Sequence, residues 1–137
     1  MLLTIISVLV LVWVYTGIGK LTDFNSFRGA ILNQPFPNDI GEYVSILIPI
    51  IEVVLAILLI NTRTRVIGLV GSIALLSAFS TYVGLVWVGS FERVPCGCAG
   101  IIEQLGWKAH FILNLSLLIL AMIGILMMTR TAMSPKQ

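Results

Sequence analysis

Two thiols two residues apart are the first chemistry this sequence offers. The segment Val94-Pro95-Cys96-Gly97-Cys98-Ala99-Gly100 holds both cysteines of the chain. Fully extended, Cα atoms two residues apart are separated by about 6.6–7.2 Å, at or beyond the upper end of the ~4.4–6.8 Å that a disulfide accepts. Closing a Cys96–Cys98 ring therefore demands a bent backbone, and Gly97 supplies the freedom to bend. A bond closed under strain is readily reduced, which suits exchange or electron transfer. As a crosslink it would do little, because it closes almost no loop and removes little entropy from the unfolded chain. Redox exchange, an inert or structural pair and a metal site all remain open on the residues alone. A metal would need more ligands than two thiolates and the single histidine, His110, so none is expected.

Downstream, Trp107, His110 and Asn114 are spaced i, i+3, i+7. If a helix has begun by Trp107, they share one face. An imidazole there is a candidate for lowering a cysteine pKa or relaying its proton. The alternatives are that His110 caps a membrane interface and Asn114 bonds a neighbouring helix. Glu52 sits inside an apolar stretch, where a carboxylate is expensive and is expected to face other helices, paired or protonated. Lys20 is the nearest cation by depth, and Pro49 removes a backbone donor beside Glu52. A proton or quinone contact and a bond holding the helices together, Lys20–Glu52 or Glu52–Tyr, are both open.

These residues need a scaffold, and the composition dictates its kind. Of 137 residues, 58% are hydrophobic and 10% charged, against roughly 25% charged in an average soluble domain. Four stretches, about 1–19, 43–60, 66–91 and 109–129, are apolar enough to span a bilayer. Each must be helical, because lipid offers the backbone no hydrogen-bond partner. The sequence therefore predicts an all-α membrane protein: one domain over 1–137, a four-transmembrane-helix bundle. The first stretch lacks the basic leader and small-residue cleavage site of a signal peptide and reads as a retained helix. Leu21, Phe24, Phe27 and Ile31 recur at roughly helical spacing, which predicts a short interfacial helix after the first span. It should end in an irregular turn at Asn33-Gln34-Pro35-Phe36-Pro37-Asn38-Asp39. In the third span Ala74, Ser77, Thr81 and Gly84 place small residues on one face, read as a helix contact.

The net charge of +2 includes no run of Lys or Arg that could track a phosphate backbone, so nucleic acid is not an expected partner. Arg63, Arg65, Arg130 and Lys136 are concentrated on the side of the termini, whereas Lys20, Arg28, Arg93 and Lys108 are dispersed through longer connections. By the positive-inside rule the termini are expected in the cytoplasm and the cysteine loop outside, where disulfides can persist. Asp23, Asp39, Glu42, Glu92 and Glu103 are read as loop carboxylates on that outer side.

Several of these features together resemble the MauE branch of the DoxX-like membrane proteins. The run Gly17-Ile18-Gly19-Lys20-Leu21 with Phe24 and Phe27, Pro49-Ile50-Ile51-Glu52, and Cys96-Gly97-Cys98-Ala99-Gly100 followed by Trp107, His110 and Asn114 carry the resemblance, which covers nearly the whole chain. Ala99 stands where similar proteins have Phe or Gly. The resemblance implies a four-helix bundle in the bacterial inner membrane, often encoded beside thioredoxin-like proteins and associated with redox chemistry. MauE is linked to maturation of the disulfide-rich small subunit of methylamine dehydrogenase, and other DoxX-like proteins to quinone-linked sulfur oxidation. The expected function is thus thiol–disulfide exchange between Cys96 and Cys98 and an extracytoplasmic thioredoxin-like partner, with His110 tuning the thiols. A quinone is the candidate cofactor, with Glu52, Lys20, Trp107 and Asn114 as candidate contacts. The alternative is a non-catalytic subunit or assembly factor among other membrane subunits. A solute carrier has less support, since the sequence has one intramembrane carboxylate and no inverted repeat.

Overall fold

In a computed structural model the chain is described over residues 1–91 and 101–133, with the side chains of 101–105 and 132–133 outside the description. The elements are α1 (Leu2–Thr22), α2 (Phe24–Leu32), α3 (Asn38–Ile60), α4 (Arg65–Trp87) and α5 (Ile101–Met133). Gly106, at φ 69 and ψ 163, breaks α5, and the long apolar part of that helix follows it. A left-handed φ of this kind is open to glycine at no steric cost. Four helices, Leu2–Thr22, Asn38–Ile60, Arg65–Trp87 and Gly106–Thr131, are long and apolar enough to cross a membrane. The protein is an all-α, multi-pass membrane bundle with a short extra helix after the first span.

Boundaries depart from the sequence expectation for local reasons. The second span begins at Asn38 instead of 43, because Pro37 at φ −56 is already set for a helix start and Asp39 sits in the first turn, where the helix dipole favours an acid. Asp39 and Glu42 are therefore helical residues and not loop carboxylates. The third span stops at Trp87, followed by Gly89 at φ 76. The Leu21–Ile31 pattern is shared between two helices: Leu21 belongs to α1 and is exposed, whereas Phe27 and Ile31 of α2 are buried. On α4, Ala74 and Thr81 are exposed, while Gly68, Ser72 and Ser80 are buried. The small residues that face other helices thus lie on a different stripe from the expected one, and of the expected set Gly84 lies against Phe111 of α5.

Helix α1 packs on α3 and α5, and α4 packs on α3 and α5, closing a ring. At the end that carries the chain start and the α3–α4 turn, the interior is solidly filled by Ile5, Ile6, Leu9, Leu55, Leu59, Leu69 and Ala121. The turn itself is tight. Thr64 Oγ1 donates to the Leu58 carbonyl at 3.0 Å and Arg65 Nε to the Leu59 carbonyl at 3.0 Å, satisfying acceptors that the end of α3 leaves free. A Cβ on Gly68 would lie 3.0 Å from Leu59, so glycine is what lets α4 start so close to α3. Toward the opposite end α1 gives way to α2, which packs along the first half of α3. Among the described residues the interior there is not filled.

Candidate functional site

The unfilled half holds a cavity of about 310 Å³ to which every helix contributes. Along α3 it is lined by Ile40, Val44, Ile48 and Glu52, one residue per turn. Starting α3 at Asn38 puts Glu52 fourteen residues in, about 21 Å along the helix at 1.5 Å per residue. That is where the cavity meets the packed core.

Two motifs that are weak separately dock on each other at this level. A Cβ on Gly17 would lie 3.1 Å from Val53, 3.2 Å from the Glu52 Cβ and 3.4 Å from the Pro49 carbonyl. The bare backbone at Gly17 lets α1 touch α3 beside Pro49, and Lys20, one turn on, reaches Glu52. The Lys20 ammonium donates to Glu52 Oε1 in an ion pair whose carboxylate is 1% exposed. Its Nζ also lies 5.5 Å from the Phe27 ring centre and 5.8 Å from that of Phe79, within the range of a cation–π contact. Of the two bonds expected for Glu52, to Lys20 or to a tyrosine, the one to Lys20 is formed. The tyrosine of the cavity, Tyr82, instead donates to Gln34 Oε1.

The face of α5 is as its spacing predicts. With the helix resuming after Gly106, Trp107, His110 and Asn114 all line the cavity. Asn114 is 5% exposed. Among the described residues, Glu52 Oε2, His110 Nδ1 and Asn114 Nδ2 are buried without a hydrogen-bond partner. Buried polar groups in folded proteins are nearly always paired, so three unpaired atoms around one cavity mark it as a place where polar chemistry is available to something else.

The structure thus brings Lys20, Glu52, Trp107, His110 and Asn114 together. Cys96 and Cys98 lie outside the described residues. Before them in the chain, the Phe91 ring is 6.0 Å from that of Tyr82, and after them Trp107 lines the cavity. Sequence reasoning missed Gln34 and Tyr82. Gln34, read as part of a polar turn, is 3% exposed, and its Nε2 donates to the Ala30 carbonyl at 2.9 Å. Tyr82 carried a signal that went unused: a phenol in an apolar span needs a partner when buried. Trp13 Nε1 donates to Ser72 Oγ at 2.9 Å across the floor of the cavity. Among the described residues no group of three or more His, Cys, Asp or Glu could hold a metal.

No curated protein and no solved structure matches the chain. The model of one family, described as methylamine utilisation protein MauE, matches residues 1–127. A family match over nearly the full length, on a four-span bundle whose paired Gly-x-x-Lys and Pro-x-x-Glu motifs build one buried site, identifies this membrane protein as a member of the MauE family.

Proposed function

We propose that the protein is a thiol–disulfide redox accessory of the inner membrane, in which Cys96 and Cys98 exchange with an extracytoplasmic thioredoxin-like partner. The observation that carries this reading is the placement of the ends of the cysteine connection. Phe91 packs against Tyr82 and Trp107 lines the cavity, so described residues on both sides of the thiols in sequence belong to the polar half of the bundle, which supports this reading. Exchange is balanced within the pair of proteins. A thiolate of one attacks the disulfide of the other to give a mixed disulfide, the second thiol resolves it, and two electrons and two protons change hands. His110, at the cavity wall, is the group available to take or return a proton near that end.

The test is mixed-disulfide trapping. Cys96→Ser and Cys98→Ser should each abolish function, and one of them, having lost its resolving thiol, should accumulate a reducible crosslink to the partner on a non-reducing gel. Full function and normal assembly in the double Cys→Ser variant would leave the protein as a structural membrane subunit.

A further inference from the structure

Helix α3 is weakened at one turn. Pro49 lies inside it and withholds the N–H that would bond the Ser45 carbonyl. The buried Ser45 turns its hydroxyl back onto the Glu42 carbonyl at 2.8 Å, a bond that also favours bending. The chain is weakened again where α1 meets α2: Asp23, at φ −120 and ψ 55, departs from helical values, and no side chain caps either end of α2. Both breaks lie within a turn of the Lys20–Glu52 pair, since Lys20 precedes Asp23 by three residues and Glu52 follows Pro49 by three. What lies between the breaks is fastened to itself. Arg28 Nε of α2 donates to Glu42 Oε2 of α3 at 2.7 Å, and a Cβ on Gly41 would lie 3.1 Å from Leu32 and 3.7 Å from Ile31, so the two helices seat closely. What lies outside the breaks is fastened separately. Gly17 of α1 faces Pro49, Glu52 and Val53, and Gly68 and Gly71 of α4 face Leu59 and Leu55, all at or beyond Pro49. Among the described residues α2 packs on α1 and α3 and not on α4 or α5. Tyr82 of α4 reaches across to it. The phenol donates to Gln34 Oε1, while Gln34 Nε2 donates to the Ala30 carbonyl at 2.9 Å. The Tyr82 ring also meets that of Phe36 edge-on, centres 6.5 Å apart.

From this division we propose that residues 24–48, α2 with the first half of α3, move as one flap over the cavity, on hinges at Asp23 and Pro49, and that Tyr82 is the clasp that holds it shut. A few element-terminal or broken-helix residues suffice as hinges, because they absorb the change in φ and ψ. The flap supplies one wall of the cavity, through Phe27, Ile31, Val44 and Ile48, and faces the wall that α4 and α5 build. Lifting it gives access to Glu52 Oε2, His110 Nδ1 and Asn114 Nδ2, and closing it shields them. The Lys20–Glu52 pair then has a mechanical part as well, since it pins α1 to α3 on the fixed side of both hinges. Such a flap governs entry whatever the occupant, and it would stand if the thiols proved dispensable.

Opening can be read from the rate at which a buried cysteine is modified. In a Cys96→Ser/Cys98→Ser background, Leu76→Cys puts a thiol on the cavity wall at a position 1% exposed, and Ala56→Cys puts one in the packed interior at 2%. The full chain in lipid nanodiscs is treated with a membrane-permeant maleimide, dilute enough that the rate follows the open population. Tyr82→Phe keeps the ring and removes only the hydroxyl. It should speed modification of the Leu76→Cys thiol about tenfold, as loss of one hydrogen bond implies, and leave the Ala56→Cys thiol unchanged. Gln34→Leu, from the other side of the bond, should accelerate it at least as much. Pro49→Ala, which restores the N–H to the Ser45 carbonyl, should slow it severalfold. Arg28→Gln/Glu42→Gln should have no effect, because that pair fastens the flap within itself. Equal acceleration at both thiols by Tyr82→Phe would mean general loosening and overturns the inference, as does a Leu76→Cys rate indifferent to it. Acceleration by Arg28→Gln/Glu42→Gln also overturns it, since α2 would then be peeling from α3 by itself. Failure of Pro49→Ala to slow the reaction removes the hinge in α3, and with it the single moving body.

Discussion

At the scale of single residues, the most consequential fact is that Glu52 and Lys20 are unequal partners. The Glu52 side chain is 1% exposed and Lys20 12%, and Lys20 has two aromatic rings within cation–π range whereas Glu52 Oε2 has no hydrogen-bond partner among the described residues. Breaking a buried pair from one side typically costs about 3–5 kcal/mol, because the other charge is left uncompensated. Lys20→Met should therefore approach the upper end of that range, while Glu52→Leu, which leaves an ammonium with rings to rest on and a shorter way to water, should cost less. Glu52→Gln should be milder still, since its amide oxygen can accept from Lys20. The double variant Lys20→Met/Glu52→Leu should recover most of the loss. Thermal unfolding in detergent, read as a double-mutant cycle, measures the coupling. Additive losses in the double variant would mean that the two side chains are not partners.

At the scale of helices, the site depends on how closely α1 and α3 approach. Gly17 faces Val53, Glu52 and Pro49 at 3.1–3.4 Å from a Cβ that it lacks, whereas Gly19 has nothing within 4 Å. The two glycines, alike in sequence, should respond oppositely. Gly17→Leu should cost about 1–3 kcal/mol by overpacking and should weaken the Lys20–Glu52 pair by prising the helices apart. Gly19→Ala should be neutral or stabilising by up to about 1 kcal/mol through helix propensity. Denaturation midpoints of the two variants provide the check, and equal losses would show that the close approach at Gly17 is not what sets the helix spacing. This contrast also shows what the sequence could and could not reveal. The four spans were legible because length and apolarity are physical requirements of a bilayer, and the α5 face was legible because i, i+3, i+7 is a property of any helix. Lys20 could be matched to Glu52 by depth. What could not be read was that α2 continues the wall where α1 ends, so that Phe27, Ile31 and Gln34 turn inward; a nine-residue amphipathic segment has the same pattern whether it faces lipid headgroups or a neighbouring helix. Nor did the spacing of Ala74, Ser77, Thr81 and Gly84 reveal which of α4's small-residue stripes is buried, because α4 carries small residues all round.

At the scale of the whole molecule, the two ends of the bundle are chemically different, and that difference fixes what its orientation must be for thiol exchange. One end holds the chain start, the Asn61–Thr64 turn with Arg63, and Arg130 in the last turn of α5, over a densely packed apolar interior. The other end holds α2, the cavity, Phe91 and Trp107. We propose that clustered Arg63, Arg65 and Arg130 retain the first end in the cytoplasm, an orientation that would put the cavity end where disulfides persist. Arg28 does not weigh equally against this, because its guanidinium is held by Glu42, with Nε donating to Oε2 at 2.7 Å. The expected outcome is that a membrane-impermeant thiol reagent labels Cys96 and Cys98 in intact, reductant-treated spheroplasts. Moving charge should move topology: Arg63→Gln/Arg65→Gln should lower the labelled fraction by producing inverted chains, whereas Arg28→Gln/Glu42→Gln, which removes an ion pair and no net charge, should leave it unchanged. Labelling of the wild-type protein only after lysis would reverse the orientation and with it the exchange with any extracytoplasmic partner, since the thiols would then face a reducing cytoplasm.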